Sequence, residues 1–387
     1  MNSRSPMLKQ LSAMGSALIL TVTAILSSLV QAAGEAPAAL IDRAPAAQIH
    51  KRVLFVSAAH SNKAKVTLLK ESTAATGLVV EQKSEKAIGD LNKAAALFAE
   101  YDLVVLDGVS KRESTSTYEK YIPLVQDVAK KTDTRFLAIN WLEQVELMKG
   151  VSSGQGLALN QYYGNGGVQN IERMLDFIAY RLFDNDSTKT VEQPIIYPQF
   201  GIYSPEAEQL VFDSLDGYLT WANEQGKAAF ETDAQGNLQV KGEQKVVGVL
   251  LQRALIESAQ TQVVDTTIAE LEKRGALVVP FFFELSPFSS DYSHLITRKT
   301  ADAGESETFV DVIVNYRNIH WASKRMAEFE QFGVPVMQGL TYFTGNQQDW
   351  EADTQGISAN MTPFTLVLPE GAGVIDPFIV AAVNEDS

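Results

Sequence analysis

At 387 residues the chain is long enough for two cores, and 45% hydrophobic with 20% charged residues is the composition of a folded protein rather than a disordered one. A formal net charge of −15 argues against a nucleic-acid partner, whose phosphates require clustered Lys and Arg. The chain has no cysteine, which removes disulfides, thiolate metal sites and cysteine nucleophiles.

The first 32 residues read as an export signal. Arg4 and Lys9 give a basic start, Ala17 to Val30 is apolar, and Val30-Gln31-Ala32 fits a small-x-small cleavage rule. Cleavage after Ala32 and a periplasmic location are expected; the other reading of the same run is an uncleaved membrane anchor. The apolar core is short for the ~20 residues of a span. Residues 33–50, rich in Ala and Pro, read as a linker.

Residues 51–150 predict a first α/β unit. Strands are expected at Val53–Val56, Leu78–Val80, Tyr101–Leu106 and Arg135–Ile139, with helices over Lys63–Thr76, Ile88–Ala99 and Thr117–Lys131. The rhythm is that of a Rossmann-like or flavodoxin-like parallel sheet. No GxGxxG or GxxxxGK[ST] occurs, so no ATP or dinucleotide site is expected.

Residues 151–242 read as a helical connector. Gly154-Gln-Gly156 and Tyr162 to Gly167 are expected as loops, and Val168–Phe183 as an amphipathic helix with Ile171, Met174, Leu175 and Ile178 on one face. Ser204-Pro205 is expected to cap a helix running to Leu215.

Residues 243–387 predict a second α/β unit. Lys245–Gln252, Ala276–Phe283, Phe309–Asn315 and Gly333–Met337 are short Val/Ile/Leu/Phe runs separated by helical segments, the mark of a parallel sheet covered on both faces. Phe364–Pro369 and Val374–Val383 are read as further strands. Ligands of such sheets bind beyond the carboxyl ends of the strands, so Arg253, Glu284 to Tyr292, Asn315 to His320 and Gln338 to Tyr342 are expected to share one rim.

Several residues on that rim have chemistry to offer, each with a plainer structural reading beside it. Arg253 and Arg317 suit carboxylates, or are surface arginines. Phe288 and Tyr292 suit a planar ligand, or are packing residues. The turn Gly164, Asn165, Gly166, Gly167 precedes a helix and can hold an anion, or is a tight turn that only glycine makes. His320 is a candidate axial metal ligand, or a capping histidine. Glu370 is a candidate proton acceptor or metal carrier, or a turn carboxylate. No HExxH or GxSxG accompanies them.

From about residue 160 the sequence resembles the large subunit of cobaltochelatase (CobN type), a family that includes the large subunit of magnesium chelatase. The likeness rests on Tyr163-Gly-Asn-Gly-Gly-Val-Gln-Asn170, Gly201-Ile-Tyr-Ser-Pro-Glu-Ala207, Tyr218-Leu-Thr-Trp221, Val247 to Arg253, Glu270 to Gly275 and Leu366-Val-Leu-Pro-Glu-Gly371, in that order. It covers only the N-terminal portion of such a subunit. It implies a tetrapyrrole and a divalent metal, cobalt or magnesium, as ligands, none held covalently, with Arg253, Phe288, Tyr292, Tyr316 and Arg317 facing the macrocycle. It also implies AAA+ partner subunits. Ser204 stands where the family usually has His before Pro. The downstream His-Gly-Thr-His-Gly and Glu signature is not found, and the export signal separates the chain from cytoplasmic ATP.

Two functions follow as expectations. One is an exported tetrapyrrole- or metal-binding protein of chelatase type, working with a second chelatase polypeptide and not active in metal insertion alone. The other is a non-catalytic periplasmic interaction or scaffold module that keeps the fold.

Overall fold

In the computed structural model, residues 51–58, 63–107, 118–140, 144–183, 188–234, 236–283, 292–299, 306–317, 319, 322–342, 345–354, 356–357, 359 and 361–382 are described. Ala47–Ser387 form one compact unit that contains both sheets.

The first sheet is built from β1 (Arg52–Ser57), β2 (Val79–Ser84), β3 (Leu103–Asp107) and β4 (Arg135–Ile139). All four are parallel, in the order β2-β1-β3-β4. The near-continuous apolar runs of β1 and β3 are explained by cover on both faces. On one face Val53, Phe55, Leu103 and Val105 pack with Leu159, Tyr163, Ile171 and Met174. On the other, Leu54, Val56, Val104 and Leu106 pack with Phe98, Tyr118, Tyr121 and Val125. The covering helices are α1 (Lys63–Glu71), α2 (Leu91–Phe98), α3 (Ile122–Lys131), α4 (Ser153–Asn165) and α5 (Gly167–Phe177), the last continuing as a π-helical turn over Ile178–Phe183.

The second sheet has seven strands: β5 (Phe200–Tyr203), β6 (Val211–Phe212), β9 (Val246–Leu250), β10 (Leu277–Phe283), β13 (Val312–Asn315), β14 (Val336–Tyr342) and β15 (Ile375–Ala382). Two small hairpins lie apart from it, β7 (Phe230–Thr232) with β8 (Leu238–Val240), and β11 (Thr297–Lys299) with β12 (Ser306–Thr308). The order is β15-β14-β13-β9-β10-β5-β6. The strands from β9 onward in this sheet are parallel, whereas β5 runs antiparallel to β10 and β6 to β5. Its helices are α6 (Leu215–Glu224), α7 (Arg253–Glu257), α8 (Gln262–Lys273), α9 (Ala322–Phe332), α10 (Gln347–Ala352) and α11 (Leu368–Gly371). No helix among the described residues is long and apolar enough to cross a membrane.

The parallel strands of both sheets are as expected, with four local differences besides the antiparallel β5 and β6. Residues 153–165 are helical despite Gly154, Gly156 and Gly164, because Ser152 and Gln155 form a capping box at the start. Ser204-Pro205 opens a turn, and it is Ser214 that caps the next helix by accepting from the Gly217 N–H. The Phe364–Leu368 run forms a π-helical turn leading into α11, since a short apolar run between two prolines carries no periodicity to separate helix from strand. Finally, the 151–242 connector is shared between the two sheets: α4 and α5 cover the first, while β5, β6 and α6 belong to the second.

In each sheet the chain reverses its direction of growth once. From β1 it adds β2 on one side, then β3 and β4 on the other. From β9 it adds β10 on one side, then β13, β14 and β15 on the other. These two reversal points, β1/β3 and β9/β13, are where doubly wound sheets open a crevice at their carboxyl ends.

Candidate functional site

The crevice position of the second sheet is set by buried polar residues at the ends of apolar strands. Asn315, the last residue of β13, is fully buried and donates from Nδ2 to Gln338 Oε1 at 2.8 Å and to the Arg317 carbonyl at 3.1 Å, while its Oδ1 accepts from the Arg317 N–H at 3.2 Å. The amide thus fixes the chain as it leaves the strand and directs Arg317. The Arg317 guanidinium lies 4.3 Å from the centroid of the Phe283 ring at the end of β10, and its Nη1 is 3.4 Å from Glu328 Oε1. Tyr292 stacks on Phe283 at 4.7 Å and 19°. Phe200 packs at 5.6 Å from Tyr292 and edge-on to His294 at 5.3 Å. A second buried arginine, Arg325, also pairs with Glu328. Burial and the neighbouring Arg317 charge lower its pKa to about 10, so it remains a cation at neutral pH.

Tyr316 points elsewhere, as an adjacent residue of an extended segment must. Its N–H donates to the Leu250 carbonyl at 2.8 Å, its hydroxyl is 2.7 Å from Thr267 Oγ1 in α8, and burial raises its pKa. Its ring fills the space that a Cβ on Gly339 would need, at 2.6 Å.

The reversal points of the two sheets meet through α1 and α7. Lys65, buried in α1, donates to the carbonyls of Tyr163 at 2.9 Å and Gly164 at 3.2 Å, and to Glu257 Oε2 at 3.3 Å. The carbonyls belong to the end of α4, where the helix dipole favours a cation. Burial lowers the Lys65 pKa, a pull that Glu257 opposes. Arg253 shares the same carboxylate, with Nε 3.4 Å from Glu257 Oε1, and its Nη2 donates to Asn165 Oδ1 and to the Tyr197 carbonyl, each at 3.4 Å. Asn165 Oδ1 accepts also from the Tyr197 N–H at 3.0 Å. Gly166 allows this approach: its φ of 61° is left-handed, and a Cβ there would stand 1.9 Å from the Glu257 carbonyl oxygen.

Behind Lys65, at the end of β3, lies Asp107. Its carboxylate accepts from the Tyr163 hydroxyl at 2.6 Å and from Asn140 Nδ2 at 3.5 Å, and its carbonyl accepts from the Tyr118 hydroxyl at 2.8 Å. Burial and the Asp107 charge push the Tyr163 pKa well up.

The structure therefore joins residues that the sequence offered separately. Arg253 is tied to the Gly164, Asn165, Gly166, Gly167 turn, and Arg317 and Tyr292 meet on Phe283. Glu370 is exposed in α11, which packs against α9, and no described bond links it to either arginine. Phe288 and His320 lie outside the described residues. Lys65, Glu257, Asp107 and Glu328 were not anticipated. Lys65 had left one trace, a lysine beside the apolar Val66 and Leu69 of its helix.

Residues 160–387 match the family model described as CobN/Magnesium Chelatase. Magnesium-chelatase subunit ChlH of Oryza sativa subsp. indica is 23% identical over 232 residues, covering 57% of this chain and 16% of its own length. Aerobic cobaltochelatase subunit CobN of Sinorhizobium sp is 25% identical over 221 residues, covering 55% of this chain and 15% of its own. The catalytic subunit of cobaltochelatase from Mycobacterium tuberculosis is similar in structure, with a TM-score of 0.52 and 17% sequence identity over 85% of this chain and 24% of that one. The chain spans about a sixth of the length of the curated relatives it matches.

Proposed function

Because the chain belongs to the CobN/magnesium-chelatase family, we propose that it binds a tetrapyrrole at the carboxyl rim of the second sheet. The observation that carries this reading is the Arg317–Phe283–Tyr292 stack, which lies inside the matched region. Tyr292, half-buried, offers a ring face for a planar macrocycle. Arg253, the less buried of the two arginines, offers a guanidinium for a carboxylate on its edge, and Arg317, buried between Phe283 and Glu328, holds the aromatic pair in place and adds positive charge behind it. Tyr316 braces β13 against α8 behind them. The divalent metal, cobalt or magnesium, enters as cargo of the macrocycle, with Glu370 and His320 kept as candidates for handling it. Metal insertion on this reading needs a second chelatase polypeptide.

The test is an absorbance titration of the purified protein with a carboxylated metal-free porphyrin and with a corrinoid. Saturable one-to-one binding that Tyr292→Ala and Arg317→Ala each weaken by roughly tenfold supports the reading. The absence of any spectral shift with either ligand overturns it. Export with removal of residues 1–32 is part of the same proposal, and N-terminal sequencing of the purified protein checks it: a chain beginning at Ala33 agrees, one beginning at Met1 does not.

A non-catalytic interaction module is the second reading, favoured by the exposed apolar side chains of Met326, Ile375 and Phe378 at the far edge of the second sheet.

A further inference from the structure

The last part of the chain carries charge of one sign. From Met326 to Ser387 there is no Lys or Arg, against nine Asp and Glu residues. The same stretch exposes large apolar side chains, among them Met326 at 43%, Ile375 at 47% and Phe378 at 39%. Apolar residues scattered over a surface are ordinary, but a contiguous group of them marks a contact surface. Here Met326 and Ile375 are contiguous, and Phe378 follows Ile375 on the same strand. Met326 and Ile375 line one groove of about 450 Å³ together with Phe329, Val334, Pro335 and Ala372, with Glu330 on its wall. The Gln347–Ala352 helix, which carries the exposed Trp350, contacts β15, which carries Phe378.

β15 itself is a strand of interior composition at an edge. It reads Ile-Asp-Pro-Phe-Ile-Val-Ala-Ala, and none of its described side chains is buried. Strands of that kind in parallel sheets are ordinarily covered by crossover helices on both faces. β9, with the comparable run Val-Val-Gly-Val-Leu, is buried throughout.

We propose that this edge docks a basic amphipathic helix of another polypeptide. An apolar stripe on such a helix would cover Ile375, Phe378 and Met326 as a crossover helix covers an inner strand. Flanking Lys or Arg would face Glu330 and the exposed Glu370 and Glu351. The charge selects the occupant. A second copy of the chain would bring the same exposed Glu330, Glu351 and Glu370 to the contact, and an anionic lipid surface would be repelled. Strand addition is disfavoured because Pro377 has no N–H to give, and because the β14–β15 register shifts between Met337 and Gly339 and again between Leu340 and Thr341. The proposal does not depend on tetrapyrrole binding, which is placed on the carboxyl rim and tested by a different titration.

The probe is a fluorescent amphipathic helix of Leu and Lys about 18 residues long, with a scrambled peptide of the same composition as control. Anisotropy with the full chain should show saturable one-to-one binding that weakens as salt rises. Ile375→Asp and Met326→Asp should each weaken it by roughly tenfold, while Val145→Asp, exposed on the first lobe, should leave it unchanged. Circular dichroism checks that each variant is folded, and the porphyrin titration of the same variants should not move. Equal binding of the scrambled peptide, equal binding by all variants, or no binding overturns the proposal. So does a dimer in light scattering that Ile375→Asp dissociates, which would assign the edge to a second copy.

Discussion

The first sheet and the second are built on the same rule and finished differently. In the first, the residues of β1, β3 and β4 are buried almost without exception, and the edge strand with no buried residue, β2, is mostly polar, Val-Val-Glu-Gln-Lys-Ser. In the second, β9 and β10 are buried throughout, but the sheet ends in β15, largely apolar and with none of its described side chains buried. The same Val/Ile/Phe composition therefore means core in one place and contact surface in another. Cover decides which, and it is a property of neighbours rather than of the strand.

The largest effect is expected where the two sheets meet. Gly166→Ala puts a Cβ into the Glu257 carbonyl at 1.9 Å and forces an L-residue into a left-handed conformation. Overpacking and the unfavourable φ together should cost ~3–5 kcal/mol in urea unfolding. A loss below ~1 kcal/mol would mean that the contact between sheets is loose. Leu54→Ala, at a fully buried position of β1, should cost ~2–5 kcal/mol by opening a cavity. Its counterpart on the edge of the second sheet, Phe378→Ala, should cost less than ~1 kcal/mol. Equal costs for the two would erase the contrast between the sheets.

A smaller effect comes from Tyr121, fully buried beneath the first sheet with no hydrogen-bond partner for its hydroxyl among the described residues. Tyr121→Phe removes an unpaired polar atom and should gain ~1 kcal/mol at neutral pH. Burial also pushes the Tyr121 pKa up to about 12. The unfolded chain releases this proton near pH 10 while the folded chain holds it until about 12. The associated stability is thus complete below pH 10 and is lost as pH rises towards 12. Urea midpoints measured across this window should fall less steeply in the Phe variant, with the remainder shared among the other tyrosines whose pKa burial raises, Tyr101, Tyr163, Tyr203, Tyr218 and Tyr316 among them.

The parts of this fold that were legible are those written in local pattern. The apolar runs at Val53–Val56 and Val246–Leu250 and the helical spacing of Ile171, Met174 and Ile178 correspond to elements of the structure. The carboxyl rim followed from the topology they imply, and it does bring Asn315 and Gln338 together. The antiparallel pairing of β5 with β10 was not legible, because it joins Ile202 to Phe281 and neither residue names its partner. The Phe364–Pro369 run reads as a strand and is helical in the structure, because it carries no periodicity to tell the two apart. In the site, the glycines at 166 and 167 announced a tight turn, but the Glu257 carbonyl packed against Gly166 lies far along the chain. The Arg253–Asn165 bond spans 88 positions, and the Lys65–Glu257 pair spans 192. Such pairings are decided by how lobes stack, which no window of sequence contains.

Pro377 has one more consequence. A long apolar edge strand is the usual seed of fibrils, since each chain offers a row of amide groups to the next. The proline ring interrupts that row near its start, and the two register shifts bend what remains. The proposed docking margin thereby stays open to a partner helix without offering a second chain an unbroken row of amides. Pro377→Val should leave the protein's unfolding midpoint almost unchanged while shortening the time it survives storage before thioflavin-positive material forms.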